Sequence, residues 1–387
     1  MEDLLPSSLR KLRTLAEDVA RERIAPHTEA VDSDCLFPEV AMRGLAEAGL
    51  MGLHVPKRLG GHEEGLLALA LVTEAIGKVC PSSALCYGMH CVATAVIAGK
   101  ASRYQEDRYL RPIAEGRHFT TLALSERGTG VHFYLPQTKL RREGDTFVID
   151  GTKQFVTSGG HADSYVVSTM ASSAPPEAGE FNCLIVDRDT PGMSWLGPWR
   201  GFGMRGNSSC GLGLVDVRVP AENLLGEEGD ELWYAFEIVA PYFLTAMAGT
   251  YLGIAQAALD LTLQHLRSRR HAHSGESLAH VPVLQHKLAE MWTGVQKTRY
   301  LILHAAGQSD LGDPEALIGI IASKADVADT VVWVTNEAMT LCGGIAYGEN
   351  SKLARLLRDA RASHVMAPTT DILKQWAGRV LLGLPLL

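Results

Sequence analysis

The chain has 387 residues, 46% of them hydrophobic and 21% charged, with a formal net charge of −8. That length and apolar fraction suffice for two or three domains with substantial cores. The acidic balance, with no basic block longer than Arg267-Ser-Arg-Arg270, argues against a nucleic-acid partner. The cysteines, Cys35, Cys80, Cys86, Cys91, Cys183, Cys210 and Cys342, are odd in number and scattered without a Cys-x-x-Cys pair. Neither a disulfide framework nor a zinc site is indicated, and the expected compartment is the reducing cytoplasm. The first residues, Met1-Glu-Asp-Leu-Leu5, carry acids where a secretory signal carries bases, and no apolar run is read as long enough to span a membrane.

From Leu9 to Lys100 the pattern is helical. Leu12, Leu15, Val19 and Ile24 recur at three- to four-residue spacing, and Val40, Leu45 and Leu50 continue it after Pro38. Pro56, Gly60 and Gly61 interrupt the pattern before the apolar run from Gly65 to Val79, which predicts a helix buried on most sides. Small residues follow from Pro81 to Ala95. Between Phe119 and Val219 the period becomes strand-like, in Thr146–Asp150, Ser164–Ser168, Phe181–Val186 and Leu212–Val219, separated by Gly, Pro and Asp. Short strands with no helices between them favour a small barrel or sandwich over a parallel βαβ sheet. After Pro220 the helical period returns. Leu284, Leu288, Met291, Trp292, Val295 and Ile302 mark one face of a long helix, and Ala325, Ala328, Val332 and Ala338 let the next helix approach closely in a bundle or at a subunit interface. Ser172–Gly179 and His271–His280 are the candidate mobile linkers.

Two stretches of the β region carry the functional signal. Leu122-Ala-Leu-Ser-Glu-Arg-Gly-Thr-Gly130 is a glycine-rich turn, and Lys153-Gln-Phe-Val-Thr-Ser-Gly-Gly160 reads as a short strand ending in Thr157-Ser158. Such a pair can wrap a flat, polar-edged cofactor such as a flavin, with Phe155 and Thr157 on the same face. The alternative is a polar hairpin region with ordinary turns. Gly201-Phe-Gly-Met-Arg-Gly206 matches the dinucleotide fingerprint as a string, but a strand follows it instead of a helix, so the Rossmann reading is rejected. His271-Ala-His273 has no third ligand near it and does not predict a metal. Nucleophile-elbow, Walker and His-Glu-x-x-His motifs are absent.

With the α-β-α order in hand, the chain resembles the acyl-CoA dehydrogenase family over nearly its whole length. Phe37-Pro38, Val55-Pro56 and Gly60-Gly61 are similar to its N-terminal pattern. Leu122–Gly130 resembles its "TEPxAGSD" segment and Lys153–Gly160 its "KxWITNGG". Gly201–Gly226 resembles "GxRGSxxxxxxFxDVxVPxxNxLG", and Gly253–Gln256, Cys342–Gly344 and Leu357–Ala360 fall where the family has further signatures. The resemblance implies an α+β multidomain protein with an N-terminal α-helical domain (1–118), a central β-barrel (119–225) and a C-terminal four-helix bundle (226–387). It implies FAD between barrel and bundle in a homo-oligomer, tetramer or dimer, and an acyl thioester substrate on CoA or a carrier protein, with the electron acceptor unread. By carry-over, Leu122, Leu124, Ser125, Phe155, Thr157, Ser158 and Thr369 contact the flavin half, and Gln285, Gly343 and Gly344 meet the adenosine and pyrophosphate half beside a neighbouring subunit. The "RxxFG" arginine and phenylalanine align with His271 and Ser274.

The family's proton-abstracting glutamate stands in one of two places, and here those positions read Ala367 and Phe243 beside Leu244. Neither accepts a proton. Candidate substitutes are Asp371, Glu126 and His132, with Glu237 and His364 on bordering segments. Each also has a structural reading, as a helix-start residue, a partner of backbone amides or a surface group. The leading expectation is an FAD-dependent dehydrogenase acting on an acyl thioester or a related small molecule. A flavin-dependent monooxygenase on the same fold, or an acyl-binding homologue without catalysis, are the alternatives.

Overall fold

The computed structural model describes residues 5–172, 181–229 and 233–386, so most of the expected linker Ser172–Gly179 lies outside it. Helices fill the first part of the chain, among them Ser7–Val19, Glu39–Glu47, Leu66–Gly77 and Pro81–Gly99. Strands follow: β1 (Thr120–Ala123), β2 (Lys139–Glu143), β3 (Thr146–Val156), β4 (Ser164–Thr169), β5 (Asn182–Asp187), β6 (Met193–Leu196) and β7 (Cys210–Pro220). The rest is helical, chiefly Ala240–Ser268, Pro282–Asp310, Ala316–Cys342, Lys352–Ala360 and Thr370–Leu381.

The strands make two sheets, ordered β1-β4-β5 and β2-β3-β7-β6. Among the described residues no strand is shared between them, so the expected β region is present as two separately hydrogen-bonded sheets. The larger sheet is antiparallel throughout, whereas β1 runs parallel to β4 with β2 and β3, not a helix, between them in the chain. Phe147, Ile149, Leu212 and Val217 of one sheet share a core with Tyr165, Val167, Leu184 and Val186 of the other, which is what alternation on half-buried strands produces.

A second core runs through both helical parts. Helix Leu66–Gly77 crosses Ala240–Ser268 backbone to backbone: a Cβ on Gly249 would stand 2.6 Å from Ala70 O, and one on Gly253 2.5 Å from Glu74 O. The start of Leu66–Gly77 is capped from a distance, because Asp310, at the end of another helix, accepts from Leu66 N at 2.6 Å and Leu67 N at 2.9 Å. Pro81–Gly99 and Tyr234–Ser268 are long and apolar enough to cross a membrane, which corrects the sequence reading, yet most of each is buried inside the protein. Met291, Val295 and Ile302 are buried as expected, while Trp292 is 55% exposed and does not share their face. The stretch His271–His280 forms a small turn closed by a bridge between Arg270 and Ser277.

Candidate active site

A cavity of about 1010 Å³ opens where the sheets meet the C-terminal helices. Its sheet wall comes from Leu122, Leu124 and Ser125, at the end of edge strand β1, and from Phe155 and Thr157 beyond a distortion in β3. The β3–β7 register slips between Lys153 and Val156, Phe155 takes φ +54°, and the strand ends at Val156. The expected strand alternation is therefore broken: Phe155 is 65% exposed while Thr157 is buried, its Oγ1 3.2 Å from Ser209 Oγ. Both still line the cavity.

A buried ion pair supports this wall from behind. Lys153 Nζ donates to Glu126 Oε1 at 2.6 Å, Ser168 Oγ at 2.9 Å and Leu124 O at 3.4 Å. Glu126 also accepts from Thr138 Oγ1 at 2.7 Å, Thr138 N at 3.1 Å and Gln137 N at 2.7 Å. Burial raises the Glu126 carboxyl, but Lys153 and these donors outweigh it and hold the group below its ordinary range. Burial pushes Lys153 down to about 8 against the pull of Glu126.

The opposite wall is Val365, Met366, Ala367, Pro368 and Thr369, with Val239, Ala240 and Phe243 beside it. The third side is the loop carrying Trp199, Phe202, Gly203, Met204 and Asn207. That loop is clamped to helix Lys352–Ala360. Met204 N donates to Asp359 Oδ1 at 2.5 Å and Arg358 Nη1 donates to Phe202 O at 3.0 Å, while Arg358 also pairs with Asp32. Gly203 is required at the clamp, since a Cβ there would stand 2.3 Å from Arg358 O. Asp359 is buried, which raises its carboxyl to about 7.

Of the expected cofactor residues, Leu122, Leu124, Ser125, Phe155, Thr157 and Thr369 meet at this one cavity. Ser158 is fully buried behind Thr157 and donates its N–H to Asn207 O at 2.9 Å. Gln285, Gly343 and Gly344 are exposed and outside the lining. Among the candidate bases, Glu126 reaches the cavity wall but its carboxylate is already engaged by four donors. His132 is exposed, its Nδ1 2.7 Å from Tyr134 Oη, and Asp371 is exposed in the first turn of Thr370–Leu381; neither lines the cavity. Glu237 and His364 also lie outside it. Among the described residues the titratable side chains that do line it are Glu126, Arg127, Arg358 and Arg361. Sequence reasoning missed Trp199, and although it matched Gly201–Gly226 as a motif it assigned neither Phe202 nor Ser209 within it to the site.

The walls fit a flat aromatic cofactor. Phe155 and Phe202 stand 65% and 70% exposed at the cavity, large apolar faces of the kind that a bound ring covers. The edge of β1 and the Thr157–Ser209 hydroxyls offer polar partners beside them. The space is at the upper end of the range for small-molecule sites, roughly 300–1,000 Å³, large enough for a ring and part of a second molecule.

The family models for the acyl-CoA dehydrogenase N-terminal, middle and C-terminal domains match residues 6–117, 121–217 and 245–382. The cyclohex-1-ene-1-carbonyl-CoA dehydrogenase of Geobacter metallireducens is 34% identical, with 95% of this chain and 96% of the relative covered. This chain belongs to the acyl-CoA dehydrogenase family. A probable acyl-CoA dehydrogenase of Bacillus subtilis, YngJ, is 31% identical over 96% of this chain and 97% of its own length. Among solved structures, butyryl-CoA dehydrogenase from Megasphaera elsdenii superposes with a TM-score of 0.92 at 26% identity, covering 98% of this chain and 99% of that one. The acyl-CoA dehydrogenase fold is thus shared, with N-terminal helices, sheets in the middle and C-terminal helices.

Proposed function

We propose that this protein is an FAD-dependent oxidoreductase that introduces a double bond next to the carbonyl of an acyl thioester. The observation that carries the reading is the continuity of one cavity, from the polar-edged sheet wall at Leu124, Ser125 and Thr157 to the apolar end at Phe243, Met366 and Ala367. The first end suits a flavin and the second an acyl chain. FAD, when bound, supplies the hydride acceptor. Leu122, Leu124, Ser125, Phe155, Thr157 and Thr369 would hold the flavin, with Ser158 fixing the turn behind them. Gln285, Gly343 and Gly344, exposed on this chain, would meet the adenosine half beside a neighbouring copy in a homo-oligomer. The names of the relatives support CoA as the carrier, and the scattered free cysteines support a cytoplasmic location.

One observation favours a second reading. Among the described residues the cavity is lined by a single carboxylate, Glu126, and that group is saturated with donors. A flavin-dependent monooxygenase needs no carboxylate base. The experiment that separates the two is anaerobic titration of the purified yellow protein with butyryl-CoA and cyclohex-1-ene-1-carbonyl-CoA. Bleaching of the flavin band is expected. A yellow protein that ignores both thioesters, and oxygenates a substrate when its flavin is reduced in air, would replace the dehydrogenase reading with the monooxygenase one.

A further inference from the structure

Lys324 has no solvent exposure, and its ammonium donates to three main-chain carbonyls: Ser363 O at 2.9 Å, Pro368 O at 3.0 Å and Met366 O at 3.2 Å. An ammonium has three N–H groups, so every donor is spent on one short stretch of chain. Among the described residues no carboxylate pulls on it, and burial pushes its pKa down to about 8. Burying a cation away from any counter-ion is costly. What the cation does is local. Two of its acceptors, Met366 O and Pro368 O, flank Ala367 in the stretch Met366–Thr369 that lines the cavity, and the third, Ser363 O, lies just before it. Backbone bonds hold the two ends of the stretch, Met366 N donating to Ala362 O at 2.9 Å and Leu373 N to Thr369 O at 3.0 Å; the side-chain ties are longer, with Tyr251 Oη 3.6 Å from Met366 Sδ and Ser363 Oγ donating to Ala328 O at 3.4 Å.

We propose that Lys324 is a positioning residue of the active site, fixing the backbone of Met366–Thr369 and so the places where Ala367 and Thr369 meet the bound reactants. The inference rests on the reading of this cavity as the reaction site. A supporting group that locks the walls matters because small displacements of reacting groups are expensive in rate.

The test compares Lys324→Met, which removes all three donors, with Lys324→Gln, whose amide is one atom shorter and keeps two. A control, Ile302→Ala, destabilises the helical core away from the cavity. Hydrogen exchange is read on peptides covering 362–370 in the purified proteins, alongside kcat and KM with the thioester that bleaches the wild type. Exchange in that segment should quicken by about tenfold or more in the Met variant, the loss expected for hydrogen bonds to a charged group, and less in the Gln variant. The fall in kcat should exceed any change in KM, and Ile302→Ala should lower Tm without either effect. Unchanged exchange at 362–370 in the Met variant, or in the Gln variant where the Met protein does not fold, overturns the proposal. Equal loosening by Ile302→Ala overturns it too. Faster exchange in a protein whose wild type ignores every thioester keeps Lys324 as the anchor of this wall and overturns the dehydrogenase reading instead.

Discussion

The two walls of the cavity are each backed by a buried lysine, and the two lysines are held in opposite ways. Lys153, behind the sheet wall, meets a carboxylate, a hydroxyl and a carbonyl, whereas Lys324, behind the helical wall, meets three carbonyls and no carboxylate. Burial pushes both down to about 8. The difference lies in what remains when the cation is lost. On the sheet side a full negative charge is stranded in the interior; on the helical side only carbonyl dipoles are. The sheet wall is therefore rigid through charge pairing, and the helical wall through backbone placement.

Breaking the pair on the sheet side gives the largest effect. Lys153→Met should cost roughly 3–5 kcal/mol, because it leaves Glu126 ionised and buried without its counter-ion. Adding Glu126→Gln should restore most of that loss, since a glutamine oxygen still accepts from Thr138 and Gln137 while carrying no charge. Urea unfolding of the wild type, both single variants and the double variant reads the coupling directly. A double variant no more stable than Lys153→Met would show that charge pairing is not what supports this wall.

The loop between the walls sharpens the contrast, because its buried group is an acid served by the backbone, the mirror image of Lys324. Asp359 accepts from Met204 N, and burial raises its carboxyl to about 7, with Asp32 adding to the rise and Arg355 and Arg358 opposing it. Between roughly pH 4 and 7 the folded state binds more protons than the unfolded chain. Stability therefore falls as pH rises through that window, by up to about 1.4 kcal/mol per pH unit from this group, and the full cost of the buried charge is present above it. Asp359→Asn should remove that slope while keeping an acceptor for Met204. Thermal unfolding of both proteins across the window checks it, and parallel profiles would mean that Asp359 is ionised throughout.

Much of this was legible in the sequence because it follows from periodicity and local chemistry. The greasy run Gly65–Val79 became the buried helix Leu66–Gly77, and Leu122, Leu124, Ser125, Phe155, Thr157 and Thr369, separated by up to 247 positions in the chain, line one cavity. What failed depended on geometry that spacing does not encode. Phe155 and Thr157 reach their shared cavity without the regular strand alternation assigned to them, because a register slip and a left-handed backbone interrupt β3. Trp292 left its face because its position, next to buried Met291, points outward on the helix. Glu126 read as a possible base because the sequence does not reveal that Lys153, Gln137 and Thr138 converge on it.

The smallest effect belongs to Asp371, and it tests whether the helical wall is as apolar as described. From spacing alone, Asp371 stands one helical turn beyond Ala367 and would reach a similar space if one helix ran through both. It does not. Met366 and Thr369 have extended backbone, with ψ of 117° and 160°, and the helix begins only at Thr370. The turn of chain that would have brought the carboxylate over the cavity is replaced by the stretch that Lys324 holds, so Asp371 faces solvent in the first helical turn. There it favours the N-terminal end of the helix by an amount of the order of 0.3–1 kcal/mol. Asp371→Asn should lose that much stability and leave kcat unchanged. A tenfold fall in kcat at unchanged Tm would place a carboxylate at the helical wall after all, and the contrast between a charge-paired sheet wall and a backbone-held helical wall would no longer stand.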